Sequence, residues 1–162
     1  MQFEQRHAFP KPKATILKMF SDAEYFRRKY ELIGSQSYEV LECEKEAQRF
    51  RIRYRFATKA DIPLPDFIKK FVSDSMQVVQ QDVWDLERAT GRLDIEIRGL
   101  PVKLWTEMSL EDSATGCINV LRFNITCAVP LVGAKVEKVL AEDVKTKSEA
   151  DWKVSLGLLD GY

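Results

Sequence analysis

Hydrophobic residues alternate with polar ones over most of the chain, and where the alternation stops they recur at helical spacing. The first segment, QFEQRHAF, sets Phe3, Gln5, His7 and Phe9 against Gln2, Glu4, Arg6 and Ala8, the two-residue period of a half-buried strand. Pro10 and Pro12 end it. In KATILKMFSDAEYFRRKY, apolar residues fall at Ile16, Leu17 and Phe20, then at Tyr25 and Phe26. Ser21 or Asp22 between the two groups can cap a helix, so the pattern predicts two short helices.

From Gly34 onward the period returns to two, in six runs: 35–44, 48–57, 76–87, 92–99, 102–112 and 116–129. Thr90-Gly91, Gly99-Leu100-Pro101 and the stretch from Asp112 to Gly116 supply turn chemistry at three of the joints, which predicts an antiparallel meander. The longest joint, ATKADIPLPDFIKKFVSDS, predicts a short amphipathic helix from about Asp66. Phe67, Ile68, Phe71 and Val72 lie on one side of it and Lys69 and Lys70 on the other. Such a helix caps one end of the core, serves as a mobile lid or makes transient contact with a membrane. The last segment sets Val132, Val136, Leu140 and Val144 four residues apart, which predicts one long helix from about Leu131 to about Leu156, ~39 Å in length.

Strand, two short helices, six strands and a long helix is an α+β order in which the sheet must cover one apolar face, and the last helix is the only element large enough to cover it. Residues 49–56, RFRIRYRF, show the two faces within one strand. Phe50, Ile52, Tyr54 and Phe56 point one way, and Arg49, Arg51, Arg53 and Arg55 the other. A single-stranded nucleic-acid platform needs aromatics and cations on one surface, so this strand is not one. Glu39, Glu42, Glu44, Asp85 and Glu87 on neighbouring strands are the expected partners of the arginines.

Composition narrows the function further. The 25 basic side chains are balanced by 25 acidic ones, so no global positive field exists to attract a polyanion. The longest nearly uncharged stretch, 124–134, is broken by Pro130 and is too short to span a bilayer, and the charged N-terminus does not read as a leader. Of the three cysteines, Cys117 and Cys127 fall on one predicted strand, about 33 Å apart, so no disulfide framework is expected. With a single histidine and no paired CxxC, no metal site and no cofactor are expected. These features point to one domain, residues 1–162, in a reducing cytoplasm.

The opening FEQRHAFP, the central DVWDLE, RGLPVKLWTEMSL and the junction ITCAVPLVGAKVEKVLAEDV together resemble the helix-grip proteins of the START and Bet v 1-like (SRPBCC) superfamily. Within it, the sequence is most similar to the bacterial domain-of-unknown-function family 2505. The resemblance implies a curved antiparallel sheet of about seven strands wrapped around the C-terminal helix, with a hydrophobic cavity between them. It also implies a hydrophobic small-molecule partner such as a lipid, an isoprenoid or a polyketide-like compound. Gly133, in PLVGAKVE, is expected to permit a tight entry into the helix after Pro130 ends the strand ladder.

The residues expected to line the cavity are Tyr54, Phe56, Trp84, Ile95, Met108, Phe123, Val136 and Leu140, each equally suited to a filled core. Gln5, His7, Gln80, Asp82, Thr106 and Asn119 are polar residues at inward positions, where each needs a partner or a ligand. His7 and Asp82 are the candidates for head-group contact, and in the alternative of a cyclase or hydratase they would form an acid–base pair. No nucleophile elbow, metal pattern or carboxylate pair supports a specific reaction, so the leading reading is a binding or transport protein. The remaining alternative is an interaction module in which the wet sheet face or an edge strand binds another chain, most commonly a second copy; the chain itself is expected to be a monomer or a homodimer.

Overall fold

The computed structural model describes residues 1–70, 72 and 74–162. Its elements are β1 (Gln2–Phe9), α1 (Lys13–Phe20), α2 (Ala23–Ile33), β2 (Gln36–Lys45), β3 (Arg49–Lys59), α3 (Asp66–Lys69), β4 (Ser75–Asp85), β5 (Thr90–Ile97), β6 (Val102–Ser113), β7 (Gly116–Cys127) and α4 (Gly133–Leu158). The seven strands form one antiparallel sheet in the order β1-β7-β6-β5-β4-β3-β2. Strands β2 to β7 are the expected meander. β1 pairs with β7, so β1 and β2 are opposite edges and the α1–α2 pair carries the chain from one edge to the other. With α4 against the inner face, this is the helix-grip fold.

Local chemistry sets the ends of the short helices. Asp22 caps α2 by accepting the Glu24 backbone N–H at 3.0 Å. Gly34 closes α2 at φ 80°, a left-handed conformation that costs glycine little. α3 is only one turn long; Ile68 is buried and Phe67 lies at the surface. The expected role of Phe71 falls outside the described residues.

The junction before α4 differs from expectation. β7 ends at Cys127, ahead of Pro130, and the residue that takes the positive φ is Leu131, at 68°. Gly133 is needed for closeness: a Cβ there would lie 2.6 Å from the Cys127 carbonyl oxygen. Glu137, one turn on, accepts the Cys127 backbone N–H at 2.9 Å, so the first turn of α4 is fixed to the end of β7.

Two clusters make up the core. One packs α1 and α2 over β3 and β4 through Phe20, Phe26, Phe50, Tyr54 and Trp84. The other packs the first half of α4, through Val136, Leu140 and Ala141, onto Leu104 and Ile125. On the outer face the arginine row finds the expected acidic partners on β2. Arg51 pairs with Glu42 (2.6 Å) and Glu44 (3.7 Å), Arg53 with Glu42 (4.0 Å) and Arg55 with Glu39 (2.6 Å). Asp85 stands opposite Arg49 in register, yet its carboxylate turns to the backbone N–H groups of Glu87 and Arg88 and stabilises the β4–β5 turn.

The junction yields a test. Substituting Gly133→Ala is expected to lower stability by about 1–3 kcal/mol, because the added methyl meets backbone that is itself tied to Glu137. Urea denaturation of both forms measures this, and superimposable curves would show that the junction gives way freely.

Candidate functional site

Beyond Leu140, α4 no longer fills the sheet's inner face, and a cavity of about 250 Å³ opens between them. Phe56, Trp84, Ile95, Met108 and Phe123 line it from the sheet, as do His7 and Asp82. Tyr54, Val136 and Leu140 do not. Val136 and Leu140 are fully buried against the second core cluster, where α4 sits tight on the sheet. Tyr54 is 1% exposed beneath α2, with its ring among Phe26, Tyr30 and Phe56 and its hydroxyl committed to neighbouring side chains.

One wall is polar. The Tyr54 hydroxyl lies 3.0 Å from Asp82 Oδ2, 2.8 Å from Gln80 Oε1 and 3.1 Å from the Tyr30 hydroxyl, and Tyr30 in turn donates to Gln80 at 2.8 Å. Tyr54 has one proton to give, so it donates to Asp82, to Gln80 or to the Tyr30 oxygen. A protonated Asp82 reverses the first bond by donating to the Tyr54 oxygen, and the network accommodates either state. Burial pushes Asp82 up to about 6, against the opposing pull of Lys29 and the Tyr54 hydrogen bond.

Lys29 enters this wall from α2. It is 7% exposed, pairs with Asp151 of α4 at 3.2 Å, and sits 4.8–5.5 Å from the ring centres of Tyr25, Phe26 and Tyr30. Burial alone would push the ammonium down. Asp151 and the other groups around it outweigh that, so its pKa stands well above the ordinary lysine value. One turn further along α4, Ser155 bonds the Tyr25 hydroxyl at 2.7 Å, so α2 and α4 are joined at two points beside the cavity.

His7 lies elsewhere on the wall. Its ring stacks on Trp152 with centroids 5.1 Å apart, and the Trp152 indole N–H donates to the Ala8 carbonyl at 3.0 Å. Burial pushes the imidazole below its ordinary pKa, with Glu149 and Asp151 opposing, so the ring is neutral at pH 7. Strands β7, β6 and β5 separate His7 on β1 from Asp82 on β4, and no hydrogen bond joins them. The acid–base pair considered from the sequence is therefore not assembled. Of the other inward polar residues, Gln80 and Asn119 line the cavity. Gln5 reaches the Lys145 carbonyl at 3.3 Å, and Thr106 is fully enclosed with its hydroxyl unpaired. Among the described residues no group of three or more His, Cys, Asp or Glu side chains is placed to hold a metal ion, and no helix is long and apolar enough to cross a membrane.

A family model described as "Protein of unknown function (DUF2505)" matches residues 4–154. The chain belongs to that family. No curated protein shows significant sequence similarity to this DUF2505 protein. Solved structures share its fold at low identity. Ara h 8.0201 is 19% identical with a TM-score of 0.67, covering 100% of this chain and 99% of its own. The Zhui aromatase/cyclase from Streptomyces sp. R1128 is 13% identical with a TM-score of 0.63, covering 99% and 93%. TTHA0849 from Thermus thermophilus is 17% identical with a TM-score of 0.62, covering 98% and 97%.

Lys29 is one of the cavity residues of this DUF2505 protein that reading strands alone misses. The signal lies in helical spacing: Lys29 falls three residues after Phe26 and four after Tyr25, inside the apolar stripe of α2, whereas Arg27 and Arg28 fall outside it. A cation in an apolar stripe either reaches solvent along its own stem or meets a buried partner, and here it meets Asp151.

The raised Asp82 gives a pH test. The folded state holds this proton more tightly than the unfolded chain, so stability is greatest below about pH 4 as far as this group is concerned and falls as pH rises to about 6, by up to about 3 kcal/mol. The Asp82→Asn variant is expected to lack this fall and to be the more stable form at pH 8. Denaturant unfolding of both forms from pH 4 to 8 measures it, and parallel profiles would contradict a raised Asp82.

Proposed function

We propose that this protein binds or carries a hydrophobic small molecule, of lipid, isoprenoid or polyketide-like character, in the cavity between the sheet and α4. The observation that carries the reading is a buried ammonium, Lys29, set in the wall of an otherwise mainly apolar cavity. Phe56, Trp84, Ile95, Met108 and Phe123 offer the apolar body its contacts, and Lys29, Gln80 and Asp82 meet a polar head. A lysine ammonium carries three donors, and with Asp151 accepting from it Lys29 retains donors for a ligand oxygen. On this reading residues 1–162 act as one binding unit, and three free cysteines suit a reducing cytoplasm.

A specific observation favours a second reading. Asp82, at about 6, sits in the cavity wall close to neutrality and can exchange a proton with a bound carbonyl compound, as a cyclase would require. In this reading Asp82 acts with Tyr54 as its hydrogen-bond partner, without His7.

Native mass spectrometry of the purified protein is expected to show an organic adduct that is lost on denaturation. The uncharged fluorophore N-phenyl-1-naphthylamine is expected to bind the emptied protein one to one. Ile95→Trp, which fills the cavity from β5, is expected to weaken that binding by about tenfold or more while leaving the fold intact by circular dichroism. Absence of both adduct and fluorophore binding in the wild type would sink the binding role. Proton exchange by Asp82 requires that Asp82→Asn abolish turnover of a copurified carbonyl compound without releasing it.

A further inference from the structure

His7 and Asn119 are cross-strand partners on β1 and β7. Each is 6% exposed and each lines the cavity. Among the described residues neither side chain has a hydrogen-bond partner, and Asn119 Oδ1 is completely enclosed. Leaving the enclosed Asn119 oxygen unpaired is unfavourable, and beside it the His7 imidazole has no protein partner either. Paired strands bring their Cβ atoms to about 5 Å, so the imidazole and the amide can both reach one atom placed between them.

The chemistry of the pair restricts that atom. A neutral imidazole offers one donor and one acceptor, and the Asn119 carboxamide, its Oδ1 enclosed, offers its N–H donors, without a formal charge from either. Such a pair recognises a neutral oxygen function, a hydroxyl or a carbonyl. Lys29 and Asp82 supply a charged wall, and two strands, β6 and β5, lie between the two places, with Trp84, Met108 and Leu121 contributing apolar surface to the same cavity. We propose that His7 and Asn119 form a second polar site, and that the ligand is a hydrophobic body bearing oxygen functions at two separated positions. A single-headed amphipath such as a fatty acid would leave one of the two sites unpaired. The inference rests on the cavity-binding reading and adds to it the ligand's second polar group.

The test uses 1-alkanols and α,ω-alkanediols of about eight to fourteen carbons as competitors of N-phenyl-1-naphthylamine on the full chain, wild type and Asn119→Leu. At the best-fitting length, the ratio of diol to alkanol affinity is expected to fall about tenfold in Asn119→Leu, with alkanol affinity changing by less than about threefold. The ligand-free variant is expected to melt no lower than the wild type, because an unpaired polar group has been removed. His7→Phe, which keeps a ring against Trp152, serves as the second variant if Asn119→Leu fails to fold, and the same fall in ratio is expected. An unchanged ratio, with or without a lower melting temperature, makes the pair structural and overturns the inference while leaving cavity binding intact. Failure of the fluorophore itself to bind the wild type overturns both.

Discussion

Helix α4 is attached to the rest of the molecule at both ends, packs on the sheet through its first half and leaves a space beneath its second half. At the first turn, Gly133 lets the backbone approach the end of β7 and Glu137 ties the contact. At the far end, Trp152 bonds β1 while Asp151 and Ser155 bond α2. The curved sheet meets the first half of the helix, and the space left under the second half is the cavity. Its size and polarity therefore depend on which side chains α4, α2 and the inner strands project there, while the attachments keep it from collapsing.

The attachments near the cavity are polar where apolar ones would hold a helix more simply. Replacing a buried ion pair by well-packed hydrophobic residues is often neutral or stabilising, so the Lys29–Asp151 pair is weak as a stability device. Asp82 works against stability above about pH 6. Such costs concentrate where a protein binds or reacts. The same elements that close the cavity thus also carry its charge.

Much of the fold can be read from residue order because period two is sustained through nearly every strand. In β1 it places Phe3, Gln5, His7 and Phe9 inward, and in RFRIRYRF it separates rings from guanidiniums. The cavity lining is less legible. Val136 and Leu140 carry the right chemistry for a pocket wall but lie where α4 touches the sheet, and Tyr54 is sealed beneath α2. A filled core and an apolar cavity use the same residues, and only the path of α4 over the sheet separates them. His7 and Asp82 show the same limit: parity sends both inward, yet three strands keep them apart. Lys29 lay within reach of helical spacing, since it interrupts an apolar stripe.

The paired charges between β2 and β3 have an effect beyond holding two strands together. β2 is an outer edge of the sheet, and the ladder there is broken by register irregularities between Gln36 and Glu39 and between Val40 and Glu42. A free edge ordinarily offers a row of unpaired backbone groups on which another chain can polymerise. Here the edge is kinked and carries Glu39, Glu42 and Glu44, whose carboxylates would face their own kind in a copy docked strand to strand. The kinked ladder and the charged side chains along β2 thereby disfavour strand-to-strand docking through this edge.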